Sequence, residues 1–164
     1  MTPSARVQAA IEILDEVLAS ARNDGPPADA IVSRYFRTRR YAGSKDRRAV
    51  RDLVFRAIRR AGERPESGRA AMVGLARDDD ELAAAFDGSA HGPQPIGDEA
   101  PAQESLVPQW LQSELSPVVA KGEWRSLLER APLDLRVNVA RTTRGAMIGA
   151  FEGSVPTELS PWGL

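Results

Sequence analysis

Apolar residues fall at Val7, Ala10, Ile11, Leu14, Val17, Leu18 and Ala21, the i, i+3, i+4 rhythm that lays one stripe along a helix. Thr2-Pro3 opens that helix, because a threonine hydroxyl accepts from the first free backbone N–H groups and proline gives up an N–H that has no helical partner there. Asn23-Asp24-Gly25-Pro26-Pro27 closes it. A second helix begins near Pro27 and buries Ile31, Tyr35 and Phe36 before Tyr41-Ala42-Gly43 breaks it. Ser44 reads as the N-cap of a third helix, with Asp46 in its first turn and Val50, Leu53, Val54, Ala57 and Ile58 as its core stripe. Three amphipathic helices with short connections predict a bundle.

Beyond Gly62 the rhythm weakens. A helix over Glu66–Ala76 would bury Met72, Val73 and Leu75, and a short one over Asp79–Phe86 follows. The stretch 87–105 holds Gly92-Pro93-Gln94-Pro95 and reads as an internal linker. Helix returns at Pro108–Leu115, with Trp110 and Leu111 inward, and at Glu123–Arg130, with Trp124, Leu127 and Leu128 inward. At Pro132 the period changes. Leu133, Leu135, Val137 and Val139 alternate with Asp134, Arg136 and Asn138, which is strand spacing. A helix from Thr142 or Thr143 to Phe151 comes next, then Val155-Pro156 and a Pro-rich end. A lone strand has no sheet to pair with, so this part reads as the start of something longer. The expectation is a mainly α chain: a helical domain over 1–130, then an incomplete α+β, strand–helix segment over 131–164.

Composition narrows the chemistry. With 164 residues the chain makes one domain, or one and a fraction. It has no cysteine, which excludes disulfides, zinc fingers and a thiol nucleophile. Glu12, Asp15 and Glu16 in the first helix argue against a signal or transit peptide, and no apolar run approaches a membrane span. The reading is a cytoplasmic protein with no membrane partner.

Charge changes the picture most. Eleven of the 22 basic residues lie between Arg34 and Arg60 against two acids, Asp46 and Asp52, so this segment carries +9. The 33 residues before it carry −3 and the 104 after it −7, which hides a dipolar chain behind a net charge of −1. A focused positive field is what a polyanion feels, and nucleic acid comes first among partners. A helical wheel centred on Val50 puts Lys45, Arg48, Arg56 and Arg59 on the solvent side; Arg34, Arg37, Arg39 and Arg40 come from the preceding helix and its end. Those eight are the candidate RNA-binding residues. Arg47, at the edge of the stripe, is expected to be partly buried against a carboxylate. The plainer reading is a solvated face with ordinary i, i+4 pairs among Arg48, Asp52 and Arg56, yet two acids cannot neutralise eleven cations. Tyr35, Phe36 and Tyr41 interleave the arginines and suit base stacking; Phe36 reads as core and Tyr41 as more open. Because 20 of the 22 basic residues are arginine throughout, the clustering carries the signal rather than the residue type.

Catalytic machinery is not legible. His91 is the single histidine and has no Cys or His partner for a metal. Asp78-Asp79-Asp80-Glu81 reads as acids at a helix start rather than a cation site. There is no spaced-glycine phosphate loop and no nucleophile–base pair. No catalytic, cofactor-binding or metal-binding residue is assigned.

Ser44-Lys45-Asp46-Arg47-Arg48-Ala49-Val50, continuing through Leu53-Val54-Phe55 to Ile58-Arg59-Arg60, resembles the N-terminal, NusB-like helical domain of bacterial RsmB-type RNA (cytosine-5)-methyltransferases. Pro108-Gln109-Trp110-Leu111 is similar to that family's Pro-x-Trp-Leu helix start, and Pro132-Leu133-Asp134-Leu135-Arg136-Val137-Asn138 to the strand that opens its small RNA-binding domain. The resemblance implies RNA, ribosomal in kind, as partner. It also implies a catalytic domain holding S-adenosylmethionine and cysteines, because C5 of cytosine becomes nucleophilic only after a thiolate adds at C6. This chain has neither the cysteine nor a cofactor loop. It is therefore expected to be the recognition part of such an enzyme, truncated or partnered with a separate catalytic domain. A stand-alone NusB-like module in transcription regulation or antitermination and a helical protein-interaction bundle are the alternatives.

Overall fold

In the computed structural model, which describes residues 1–129 and 131–164, the chain is mainly helical and divides into two compact units, Met1–Leu128 and Glu129–Leu164. No helix among the described residues is long and apolar enough to cross a membrane.

The first unit is built on α1 (Pro3–Arg22). The Thr2 hydroxyl accepts from the Ala5 N–H at 3.1 Å, and Pro3 takes the first helical position. Asp24 at φ +49° and the Pro26-Pro27 pair then turn the chain into α2 (Ala28–Thr38). A tight turn leads to α3 (Ser44–Ala61), which ends at Gly62 with φ +57°, the left-handed conformation glycine adopts at least cost. Gly43, not Ser44, occupies the N-cap, and no side chain caps this helix. The fourth helix, α4 (Gly68–Ala76), is capped by the Ser67 hydroxyl.

Burial explains why α1 sits in the middle. α2, α3 and α4 all pack on it, so its buried arc is wider than one stripe. Ala9 and Ile13 are buried beside the predicted Val7, Ala10, Ile11, Leu14 and Leu18, whereas Val17 is only partly buried and Ala21 is exposed. α4 is apolar nearly all round, the mark of a helix covered on every side. Ala71 through Ala76 are all buried. The core joins Ile13 and Val7 of α1, Ile31 and Phe36 of α2, Val50 and Val54 of α3, and Met72 of α4. On α3 the apolar stripe is narrower than predicted, since Leu53 is partly buried and Ile58 exposed.

After α5 (Asp80–Ala84), residues 87–105 run without helix or strand as a strap over the bundle. Several of its polar groups bond to the helices. The Ala102 N–H donates to the Ala70 carbonyl at 2.9 Å, the Ser105 N–H to the Arg60 carbonyl at 3.1 Å, and the Ser4 hydroxyl to Asp87 at 2.6 Å. Arg69 donates to the Gln94 and Pro95 carbonyls and pairs with Glu99 at 2.6 Å. Short helices α6 (Gln109–Gln112) and α7 (Trp124–Leu128) complete the unit. Both are shorter than their apolar positions predict, and Trp110 and Leu127 face solvent, at 70% and 57% exposure. Four or five residues are too few to commit such side chains to a core. Arg130, the predicted end of the last of these helices, lies outside the described residues.

In the second unit, α8 (Arg144–Ala150) starts where predicted, with the Thr143 hydroxyl accepting from Ala146. The predicted strand over Leu133–Val139 is not one. Among the described residues there is no strand, only a single antiparallel bridge between Arg136 and Gly163. Leu135 and Leu164 exchange backbone hydrogen bonds, and the Val137 N–H donates to the Trp162 carbonyl. Three bonds to the chain's last residues satisfy the segment locally, with no further strand to extend the ladder. Leu133 and Val139 consequently remain exposed.

Candidate nucleic-acid interface

The basic segment occupies the last turns of α2, the 39–43 turn and the whole of α3. Apart from Arg47, its cations divide into two groups by what they touch. Arg34, Arg39, Arg56 and Arg60 are spent on the protein's own carboxylates. Arg34 pairs with Glu16 at 3.1 Å, Arg39 with Glu12 at 3.5 Å, and Arg56 with Asp79 at 3.0 Å. Arg60, largely buried, holds Asp78, Glu104 and the Ala102 carbonyl. Asp78 and Asp79 are thus partners of α3 as well as acids at a helix start. Asp79 also caps α5 by accepting from the Leu82 N–H, and the backbone bond together with the Arg56 guanidinium holds its carboxyl below the usual range.

Arg37, Arg40, Lys45, Arg48, Arg51 and Arg59 form the second group. All six are exposed, and none has a carboxylate within ion-pair reach among the described residues. On α3, Lys45, Arg48, Arg51 and Arg59 share one side of the helix, while Arg37 and Arg40 flank the turn that leads into it. Asp52 lies on the same side and pairs with neither Arg48 nor Arg56. The i, i+4 pairing that would have made this an ordinary solvated face is absent among the described residues. Five of the eight predicted residues therefore stay free (Arg37, Arg40, Lys45, Arg48, Arg59), and Arg34, Arg39 and Arg56 do not. Arg51 was missed; its place three residues after Arg48, next to that helix's solvent side, was the available signal.

Arg47 departs from expectation. It is exposed, its Nε donates to the Ala42 carbonyl at 2.8 Å, and its guanidinium lies 5.9 Å from the Phe36 ring. The carboxylate beside it, Asp46, is taken by Arg6 at 2.8 Å and by the Met1 ammonium at 3.2 Å, and these bonds lower its pKa. Arg47 thus ties down the turn.

The aromatics also divide. Phe36 is core and meets Tyr35 edge to face, with ring centres 5.2 Å apart. Tyr35 is buried, donates its hydroxyl to Glu12 at 2.6 Å and carries the Arg39 guanidinium 3.6 Å above its ring. Burial and the Glu12 bond push its pKa up, which keeps the hydroxyl a donor. Tyr41, by contrast, is 73% exposed.

His91 is exposed, and the described residues contain no cluster of His, Asp and Glu suited to a metal ion. Gly68 and Gly74 pack closely against α1 and the strap, and Gly62 and Gly88 take positive φ. No family model, curated protein or solved structure matches the chain.

Proposed function

We propose that this chain binds RNA through the exposed cations of α3 and the preceding turn. The observation that carries the reading is the set Arg37, Arg40, Lys45, Arg48, Arg51 and Arg59, exposed on α3, the turn before it and the end of α2, with no ion pair to Asp52 or any other carboxylate among the described residues. A protein that keeps six cations unpaired beside one another bears a repulsion that a polyanion removes, and phosphate contacts of this kind are independent of sequence and steeply salt-dependent. The resemblance refines the proposal: a NusB-like bundle serving a cytoplasmic ribosomal RNA cytosine-5 methyltransferase, with methyl transfer carried out by a separate catalytic domain. The absence of any cysteine supports that division, because the thiolate step needs one.

The test is fluorescence anisotropy with a ribosomal RNA fragment across a salt series, with heparin as competitor, on the wild type and on Arg48→Glu/Arg59→Glu. The wild type should hold RNA near physiological salt and prefer it to heparin. The double variant should bind more weakly for every sequence, and its salt slope should fall by about 0.7–0.9 for each phosphate it no longer neutralises. Unchanged affinity in the double variant would remove this surface as the site.

A further inference from the structure

Beside the basic turn lies an open groove of about 1120 Å³, walled by the N-terminal half of α1, by Tyr35, Arg39 and Tyr41, and by the strap around His91. Its floor is held in place. Glu12 accepts from Tyr35, Arg39 and Gln8, and the Arg39 guanidinium lies 3.6 Å from the centre of the Tyr35 ring, so these groups are held in place before any ligand arrives. Tyr41 stands at the groove with most of its ring in water, in the turn that also carries Arg40.

A single exposed ring is ordinary on a protein surface; Tyr41 is distinguished by lining a groove in the turn that carries Arg40. The chemistry around it selects what covers it. A protein segment covering Tyr41 would have to tolerate the cations of the turn, whereas the π-face of an unpaired base suits an aromatic ring or a guanidinium, and the phosphates on either side of that base suit Arg37, Arg40 and Lys45. A duplex offers the phosphates but keeps its bases stacked and paired. We propose that the groove receives one unpaired base of single-stranded RNA, stacked on Tyr41, while the flanking phosphates lie along Arg37, Arg40 and Lys45. This rests on the RNA-binding reading and deepens it, because phosphate contacts alone give no preference for unpaired RNA.

The experiment compares a short single-stranded RNA with a hairpin carrying the same number of phosphates, using the full chain as wild type, Tyr41→Ala, Tyr41→Phe and Arg48→Glu/Arg59→Glu. The wild type should prefer the single strand, and 2-aminopurine in that strand should be quenched on binding. Tyr41→Ala should weaken single-strand binding roughly five- to hundredfold, abolish the quench, and leave hairpin binding and the salt slope unchanged. Tyr41→Phe should restore both affinity and quench. Equal affinity for the two RNAs, or a Tyr41→Ala variant that behaves as wild type, overturns the groove assignment. If Arg48→Glu/Arg59→Glu still weakens binding in that case, the basic surface stands without the groove. If neither variant has an effect, both proposals fall together.

Discussion

Single residues in this protein act through the polar atoms they satisfy. Asp87 accepts from the Ser4 hydroxyl and from the Ser89 N–H, and these bonds lower its pKa from 3.8 to about 2. Because the folded value lies below the unfolded one, the contribution is complete above 3.8 and disappears as the pH falls through about 2. Urea midpoints measured across that range should drop less steeply for Asp87→Asn than for the wild type; parallel curves would show that the Ser4 bond does not couple to folding. Residue identity alone told part of this story. Tyr41 was legible as open because it lies in the turn between two helices, and Phe36 as core because of its spacing. The partners of Arg34, Arg39 and Arg56 were not legible, since Glu16, Glu12 and Asp79 lie 18 to 27 positions away. Only the packing of α2 and α5 against their neighbours brings those charges together.

At the scale of elements, the crossing of α1 and α4 sets the geometry of the bundle. Gly68 opens α4 directly against α1, with its N–H donating to Asp15 at 2.6 Å, and a Cβ there would meet the Ile11 carbonyl and the Asp15 backbone. Gly68→Ala should therefore push α4 outward and cost about 1–3 kcal/mol, the usual penalty for overfilling a packed contact. A urea midpoint equal to wild type would refute that crossing. The first three helices were readable from spacing, because long amphipathic segments with clear breakers leave few alternatives; α4, short and apolar nearly all round, showed a weaker rhythm. The widths of their buried arcs were not, since those depend on how many neighbours each helix has. The alternation at Leu133–Val139 misled for a related reason: a period of two describes a pleat but supplies no partner strand. Residues 87–105 show the reverse, a Gly- and Pro-rich stretch held closely by Arg60, Arg69 and Ser4.

For the molecule as a whole, net charge is a poor guide. The unit Met1–Leu128 holds 18 basic and 19 acidic residues, yet most of its unpaired cations gather on α3, the turn before it and the end of α2. Such a body behaves as a patchy colloid. Near-zero net charge removes the general repulsion between copies, and the basic face of one molecule finds the acidic remainder of the next. The range of that attraction follows the screening length, about 30 Å at 0.01 M salt and about 10 Å at 0.1 M. The purified protein should consequently cloud or oligomerise in dilute buffer and clear as salt is added, with its second virial coefficient in light scattering rising from negative towards positive. Arg48→Glu/Arg59→Glu should abolish that trend along with RNA binding, because the surface that attracts phosphate is the same one that makes the protein adhere to itself.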